Sequence, residues 1–389
     1  MRLFWGLLAL VISLVSLATV RPELFGVTAQ YALLTPFAQI VALRGWLVLG
    51  FALTGILFLI VAGIRGLLFR RGRIALTFSL AMLLVAGLHA ATMYSRGITA
   101  SGTDQSSASG ADASSVSTLE ASADTSAAAE NPDITVLQYN TLGGSVDISA
   151  LADLITNENI NVVSLPETST QTGEDIVAHL AERGLWFQQF DTGTSGYEAD
   201  YASTVLLVSS SLGEYVQTDI FEPSTESADS VETSETPGPT DPVETSEITA
   251  QEGSVPHAVR AVPLDGNGPT FVAVHPIAPG RDRMDVWQSE IRAAYGLCGT
   301  EPNAIVAGDF NSTADHEAAL RLETPCTDAA AQAGAGALGT WPARLPELLS
   351  SPIDRVLTTT NEYRGSEAAI VNLGGSDHRG VMVRLTPNA

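Results

Sequence analysis

The chain has 389 residues and a formal net charge of −24, from 43 acids against 19 bases. That length allows two or three structural units. So acidic a chain argues against general, tight binding to nucleic acid, whose phosphate backbone it would repel. The charge is unevenly spread: residues 1–98 hold eight arginines against a single acid, Glu23, which gives about +7 there and leaves about −31 for the remainder. A basic, apolar front followed by an acidic rear is the layout of a tethered domain.

Residues 4–20 form an almost uninterrupted apolar run just after Arg2, and residues 46–64 and 74–91 form two more. The later two are each long enough to cross a hydrocarbon core of about 30 Å, and their presence favours an anchor over a cleaved signal peptide for the first. Residues 24–43 contain Gln30, Thr35, Pro36 and Gln39. These are costly in lipid, so the segment is expected to be interfacial or re-entrant. The sequence therefore predicts a membrane anchor over residues 1–98 with three spans, four being the alternative. The connector with Arg65, Arg70, Arg71 and Arg73 is the densest basic cluster of this half. The positive-inside rule assigns it to the cytoplasm, which places everything after Tyr94 outside the cell membrane.

Residues 99–131 are mostly Ser, Ala, Thr, Gly and Asp. Such a segment cannot bury enough surface to offset its ordering entropy, and it is expected to be a disordered acidic linker. Short strand-like and helix-like patterns then alternate through residues 132–389: 134–139, 148–157 (helical), 162–165, 204–208, 270–275, 284–297 (helical), 304–307, 353–358 and 380–385. This predicts a layered α/β domain with a mixed or antiparallel sheet component. Residues 222–253, rich in Glu, Ser, Thr and Pro, interrupt the rhythm as an expected disordered insertion. The two cysteines, Cys298 and Cys326, admit two readings: an extracytoplasmic disulfide, or two small buried apolar side chains.

Six short segments place polar side chains at predicted strand ends, where loops present functional groups from a rigid scaffold. They are Gln138-Tyr139-Asn140, Pro166-Glu167-Thr168, Val274-His275-Pro276, Gly308-Asp309-Phe310-Asn311, Pro352-Ile353-Asp354 and Gly375-Ser376-Asp377-His378. Each alone has a bland alternative. Asn140 suits a turn, Glu167 suits a helix N-terminus, His275 suits a strand end, the 308–311 segment reads as loop punctuation, and Asp354 has Arg355 beside it. Asp377-His378, set between Gly375 and a final apolar strand, is the hardest to explain that way.

Taken in order, the six segments resemble the endonuclease/exonuclease/phosphatase superfamily, the fold of metal-dependent DNase- and sphingomyelinase-type enzymes. Gly308-Asp309-Phe310-Asn311 and Ser376-Asp377-His378 are the most specific parts, with Ile353-Asp354 between them. The anchor and linker look like a membrane-tethered bacterial branch. The resemblance implies a four-layer α/β sandwich of two packed mixed sheets flanked by helices. It also implies one or two divalent ions, Mg2+ or Mn2+, which oxygen ligands hold while leaving room for water and substrate. Metal-ligand roles carry over to Asn140, Glu167 and Asp377, and catalytic roles to His275, Asp309, Asn311, Asp354 and His378. In that scheme Asp354 orients His378, Asp309 and Asn311 face the attacking water and the phosphoryl oxygens, and His275 stabilises a non-bridging oxygen. One departure is Pro166, where the family usually carries Gln. The substrate-facing tyrosine of some family nucleases has no clear counterpart, Tyr197 and Tyr201 being the candidates. Arg281, Arg283 and Trp341 are candidate substrate contacts, for a second anionic group and for stacking; the alternatives are a solvated helix start and a loop staple.

The expected function is hydrolysis of phosphate esters, as a phosphodiesterase or phosphatase, outside the cell membrane. Tethering at a bilayer favours lipid-linked or small substrates, an extracellular nuclease being the alternative. A non-catalytic binding module is the reading of a different class, and it predicts loss of one of the eight metal and catalytic positions, all of which are present. The expected partners are the lipid bilayer and the phosphoester; no obligate protein partner is evident in the sequence.

Overall fold

The computed structural model describes residues 2–24, 26–69, 72–99, 132–193, 199–219, 257–359 and 362–388. Most of the expected linker, the expected insertion, Arg70, Arg71 and Tyr197 lie outside the described residues.

The front half is helical: α1 (Arg2–Ala18), α2 (Gly26–Tyr31), α3 (Phe37–Ala42), α4 (Arg44–Phe69) and α5 (Arg73–Arg96). By length and composition, α4 and α5 can cross a membrane. They pack as a hairpin in which Ser79 Oγ donates to the Gly55 carbonyl at 2.6 Å. At 17 residues, α1 is shorter, about 26 Å at 1.5 Å per residue.

The rear half follows in the order β1 (Ile134–Gln138), α6 (Ile148–Asn157), β2 (Val162–Pro166), α7 (Thr170–Glu182), β3 (Phe187–Asp191), α8 (Ala199–Ala202), β4 (Thr204–Ser209), β5 (Tyr215–Thr218), β6 (Val259–Pro263), β7 (Thr270–Val274), α9 (Met284–Thr300), β8 (Ala304–Asp309), α10 (Ala314–Leu320), β9 (Thr327–Asp328), α11 (Ala329–Gln332), β10 (Asp354–Thr358), β11 (Tyr363–Val371) and β12 (Gly380–Pro387). These strands make two six-stranded mixed sheets, ordered β11-β12-β1-β2-β4-β3 and β5-β6-β7-β8-β10-β9. Within them β1–β2 and β7–β8 are parallel.

Strand alternation builds the four layers. Ile134 and Val136 of β1 meet Phe271 and Ala273 of β7 and Ile305 and Ala307 of β8 in the cluster between the sheets. The opposite faces carry Leu137 and Val163 into a cluster with Leu151 and Ile155 of α6 and Ile176 and Leu180 of α7. Likewise Val272, Val274 and Val306 pack with Trp287, Ile291 and Tyr295 of α9. Asp147 caps α6 by accepting from the Ala150 amide, and Ser169 caps α7.

The segment expected to be interfacial or re-entrant also contributes apolar side chains to the packing of the rear half. Ala32, Leu33, Ala38 and Val41 are buried in the α9 cluster, and Gln288 donates to the Leu33 carbonyl at 2.8 Å. The Gln288 bond gives the Leu33 carbonyl a partner that lipid would not supply.

Cys298 and Cys326, 28 positions apart in sequence, form a disulfide with Cα atoms 5.2 Å apart. By loop-closure entropy it contributes about 3–4 kcal/mol. Adding a reductant to the full chain is expected to lower its melting temperature, and an unchanged melting curve would argue that the link adds nothing.

Candidate active site

The functional side chains gather at one edge of the two sheets. Asn140 and Glu167 follow the ends of the parallel pair β1–β2, and His275 follows β7. Asp309 closes β8 directly opposite Asp354, which opens β10, and His378 precedes β12. The 308–311 turn depends on Gly308, because a Cβ there would lie 2.0 Å from the Val274 carbonyl oxygen of the neighbouring strand. Gly375 has φ +79°, and its Cβ would sit 2.1 Å from the Ser145 carbonyl. Glu167 and Asn311 hold left-handed φ values of 54° and 46°. That conformation is uncommon for residues with a Cβ and persists where the surroundings enforce it.

One amide nitrogen, Asn140 Nδ2, donates to both Glu167 Oε1 (2.9 Å) and Asp309 Oδ2 (3.1 Å). His275 Nε2 lies 3.8 Å from the same Glu167 oxygen and 3.9 Å from the same Asp309 oxygen. His378 Nδ1 meets Asp354 Oδ2 at 2.8 Å, and its Nε2 lies 3.7 Å from Asp309 Oδ2. Asp309 Oδ1 accepts from the Asn311 amide at 2.8 Å, while Asn311 Nδ2 donates to the Pro276 carbonyl at 2.9 Å. Six of the eight metal and catalytic candidates, Asn140, Glu167, His275, Asp309, Asp354 and His378, thus join in one connected cluster, and Asn311 braces it.

The outer candidates are placed differently. Asp377 is 45 % exposed and 4.0 Å from His378 Nε2; its Oδ2 accepts from Trp341 Nε1 at 2.8 Å. The Trp341 ring centroid is 6.5 Å from that of His378, at the rim of the site. Tyr201 is exposed, and its ring lies close against Gly143 in the loop after Asn140. Arg281 and Arg283 are exposed on the loop between His275 and α9.

Sequence reasoning missed two contributors. Gln138 Nε2 donates to Asp354 Oδ1 at 2.9 Å across the sheets. Ser376 Oγ donates to the Asn140 carbonyl at 2.7 Å and accepts from the His378 amide at 3.0 Å. Gln138 closes a mostly apolar strand and is itself buried, a signal that it needs a buried partner.

Burial lifts the Glu167 carboxyl, offset by the Asn140 hydrogen bond and reinforced by Asp309. Burial, then the Asp354 charge, likewise lifts Asp309. Burial pushes His275 down to about 4 against the pull of Asp309. For His378 burial pulls downward, but the Asp354 and Asp309 carboxylates outweigh it and push the imidazole up to about 10. A pKa raised on folding stabilises the fold fully below the ordinary value of 6.5, and that stability is lost as pH rises through about 10. In the presence of a chelator, the melting-temperature gap between the wild-type chain and His378→Gln should therefore narrow from pH 6 toward pH 10. A gap independent of pH would contradict this.

The donor set fits a hard divalent cation. Glu167 and Asp309 offer carboxylate oxygens that converge on one amide nitrogen, and burial raises both above the ordinary carboxylate range, a penalty that a divalent cation held by these oxygens would offset. Asp309, Asp354 and His378 also present ligand atoms within 4.8 Å of one another.

Two mixed sheets flanked by helices, with an acid–imidazole cluster at one edge, define an α/β sandwich that carries a candidate hydrolytic site. The chain belongs to the endonuclease/exonuclease/phosphatase family, whose sequence model matches residues 137–378. Solved structures with similarity include humanized D. rerio TDP2, at 15% identity over 65% of this chain and 99% of that one, TM-score 0.46. An endonuclease/exonuclease/phosphatase from Beutenbergia cavernae is 16% identical over 67% of this chain and 72% of that one, TM-score 0.44. Another from Bacteroides vulgatus is 15% identical over 66% and 100%, TM-score 0.42. A comparison with curated proteins finds no match.

Proposed function

We propose that this chain is a Mg2+- or Mn2+-dependent phosphoric ester hydrolase held at the outer face of the cell membrane by a multi-pass anchor, acting on lipid-linked or small phosphoesters. The observation that carries the reading is the convergence of Asn140, Glu167, His275, Asp309, Asp354 and His378 on a single edge.

Asn140 and Glu167 would hold the ion, with Asp377 reaching it directly or through water. A bound ion supplies positive charge to the phosphoryl oxygens and acidifies water. Asp309, fixed by the Asn311 amide, is placed to orient the attacking water and take its proton. His378 keeps a proton on Nδ1 for Asp354 and turns Nε2 toward Asp309, so it enters as a cationic donor to a phosphoryl oxygen. His275, kept neutral by burial, donates to a non-bridging oxygen. Trp341 and the exposed Arg281 and Arg283 are candidates for the rest of the substrate.

The membrane placement is supported by the meeting of three helix ends. Arg44 at the start of α4 donates to the Val20 carbonyl just past α1 at 3.1 Å, and it shares Asp315 with Arg96 at the end of α5. The far end of the hairpin carries Arg65 and Arg73. This agrees with an N-terminus inside and the hydrolase domain outside. A second reading, extracellular nuclease, is favoured by Arg281 and Arg283, which make no ion pair among the described residues.

The test uses detergent-solubilised full chain with DNA, RNA, a lysophospholipid and a chromogenic bis-phosphodiester, each with Mg2+ or a chelator. Metal-dependent turnover of the last two supports the proposal. Faster turnover of DNA or RNA selects the nuclease, and no turnover of any arm rejects the hydrolase.

A further inference from the structure

The structure joins the anchor to the hydrolase domain through a buried ionic cluster that the hydrolytic scheme leaves unused. Asp315, in the first turn of α10, is almost wholly buried and is gripped by two guanidinium forks. Arg96 donates Nη1 to Oδ2 at 2.9 Å and Nη2 to Oδ1 at 2.7 Å. Arg44 donates Nε to Oδ2 at 3.1 Å and Nη2 to Oδ1. Arg44 Nη1 also meets His89 Nδ1 at 2.9 Å, and His89 Nε2 meets Thr19 Oγ1 at 3.0 Å. An arginine only donates, so the ring accepts at Nδ1 and carries its proton on Nε2. One carboxylate thereby ties together α1, α4 and α5.

Attachment alone does not require this. The chain already connects the two halves covalently, whereas two buried guanidinium forks on one carboxylate fix an orientation. The fixed element is the one that carries the site. Asp315 lies four residues after Asn311, and α10 begins where the 309–311 turn ends. Phe310 of that turn packs in the same cluster as Ala38 and Val41, and His316 Nε2 meets the Ala38 carbonyl at 3.0 Å. Glu317, one residue further, accepts from Arg355 Nη1 at 2.8 Å, and Arg355 adjoins Asp354. The single turn 315–317 therefore links the membrane helices to both strands that present catalytic carboxylates.

We propose that Asp315 is a positioning residue for hydrolysis: held by Arg44 and Arg96, it sets the 309–311 loop from the membrane side, so turnover depends on the anchor and not on the domain alone. This rests on the hydrolase reading above.

The test compares full-chain wild type, Asp315→Asn, Arg96→Gln, Arg96→Lys and Ser79→Ala in detergent, with a soluble chromogenic phosphodiester and Mg2+. Asp315→Asn and Arg96→Gln should lower kcat by roughly 10- to 100-fold, as misplacement of catalytic groups by about 1 Å does, while KM moves less than about twofold. Arg96→Lys, which keeps the charge but loses the fork, should recover only part of kcat. Ser79→Ala, which weakens the hairpin away from the cluster, should leave kcat unchanged. Hydrogen–deuterium exchange of residues 309–313 should accelerate in the first two variants only. Wild-type kcat and exchange in folded Asp315→Asn would overturn the proposal. Should that variant not fold, Arg96→Gln decides, because its side chain is 24 % exposed and Arg44 still holds Asp315 in its absence. Inactive wild type would defeat the hydrolase reading, and exchange of the 309–313 segment would still judge the positioning.

Discussion

Replacing Asp309 with Asn is expected to reduce hydrolysis at least 10²-fold while leaving the metal-free chain as stable as wild type or more so. The two effects have one cause. Asp309 is buried opposite Asp354, and burial and that neighbouring charge both disfavour its ionised form. Neutralising it removes a charge the fold holds at a disadvantage and the chemistry requires, the usual opposition of stability and activity at a site. His378→Ala should match the loss of activity, since it removes the group that Asp354 orients at 2.8 Å. Rates with the chromogenic phosphodiester and melting curves of the same samples check both. An active Asp309→Asn chain, or an inactive one that has lost stability, would assign Asp309 a structural role instead.

Arg355→Ala is expected to have the largest effect on stability, about 3–5 kcal/mol, the range for breaking a buried ion pair from one side. Arg355 Nη1 donates to Glu317 Oε2 at 2.8 Å and Tyr295 Oη at 2.9 Å, and Nη2 to Asp328 Oδ2 at 3.0 Å. Without it two largely buried carboxylates lose their counter-charge. A fall of roughly 10 °C in melting temperature follows at the usual conversion for a domain of this size. Arg355→Lys should recover only part, because an ammonium cannot serve both carboxylates with a planar fork. A change of less than about 1 kcal/mol would place the network among exposed pairs that contribute little.

Much of the site was legible because the family's polar groups sit where apolar strand runs stop, and each such junction is visible in one sequence. The apolar front was legible for the same reason. Other parts were not. Strand β11 reads Tyr-Arg-Gly-Ser-Glu at its start and has a register shift between Gly365 and Glu367, so its alternation is hidden. Helix α7 has Gly173 in its first turn, packed on the Gln189 side chain, and its apolar stripe is narrow. The grip on Asp315 was invisible for a different reason. Arg44 and Arg96 look like ordinary interfacial arginines flanking apolar helices, and Asp315 looks like an ordinary helix N-terminal acid. Their separations of 271 and 219 residues carry no local pattern. Asn140 also makes contacts that no motif carries: Oδ1 accepts from the Leu142 amide at 3.0 Å, and Nδ2 donates to Glu167 Oε1 at 2.9 Å.

Titration calorimetry of the full chain with Mn2+, alongside Glu167→Gln, examines the site where its chemistry begins. The wild-type chain should bind one or two ions, and the variant should bind at least about 10-fold more weakly. Failure of the wild type to bind a divalent ion, or equal binding by both chains, would contradict a cation-centred hydrolase at this edge of the sheets.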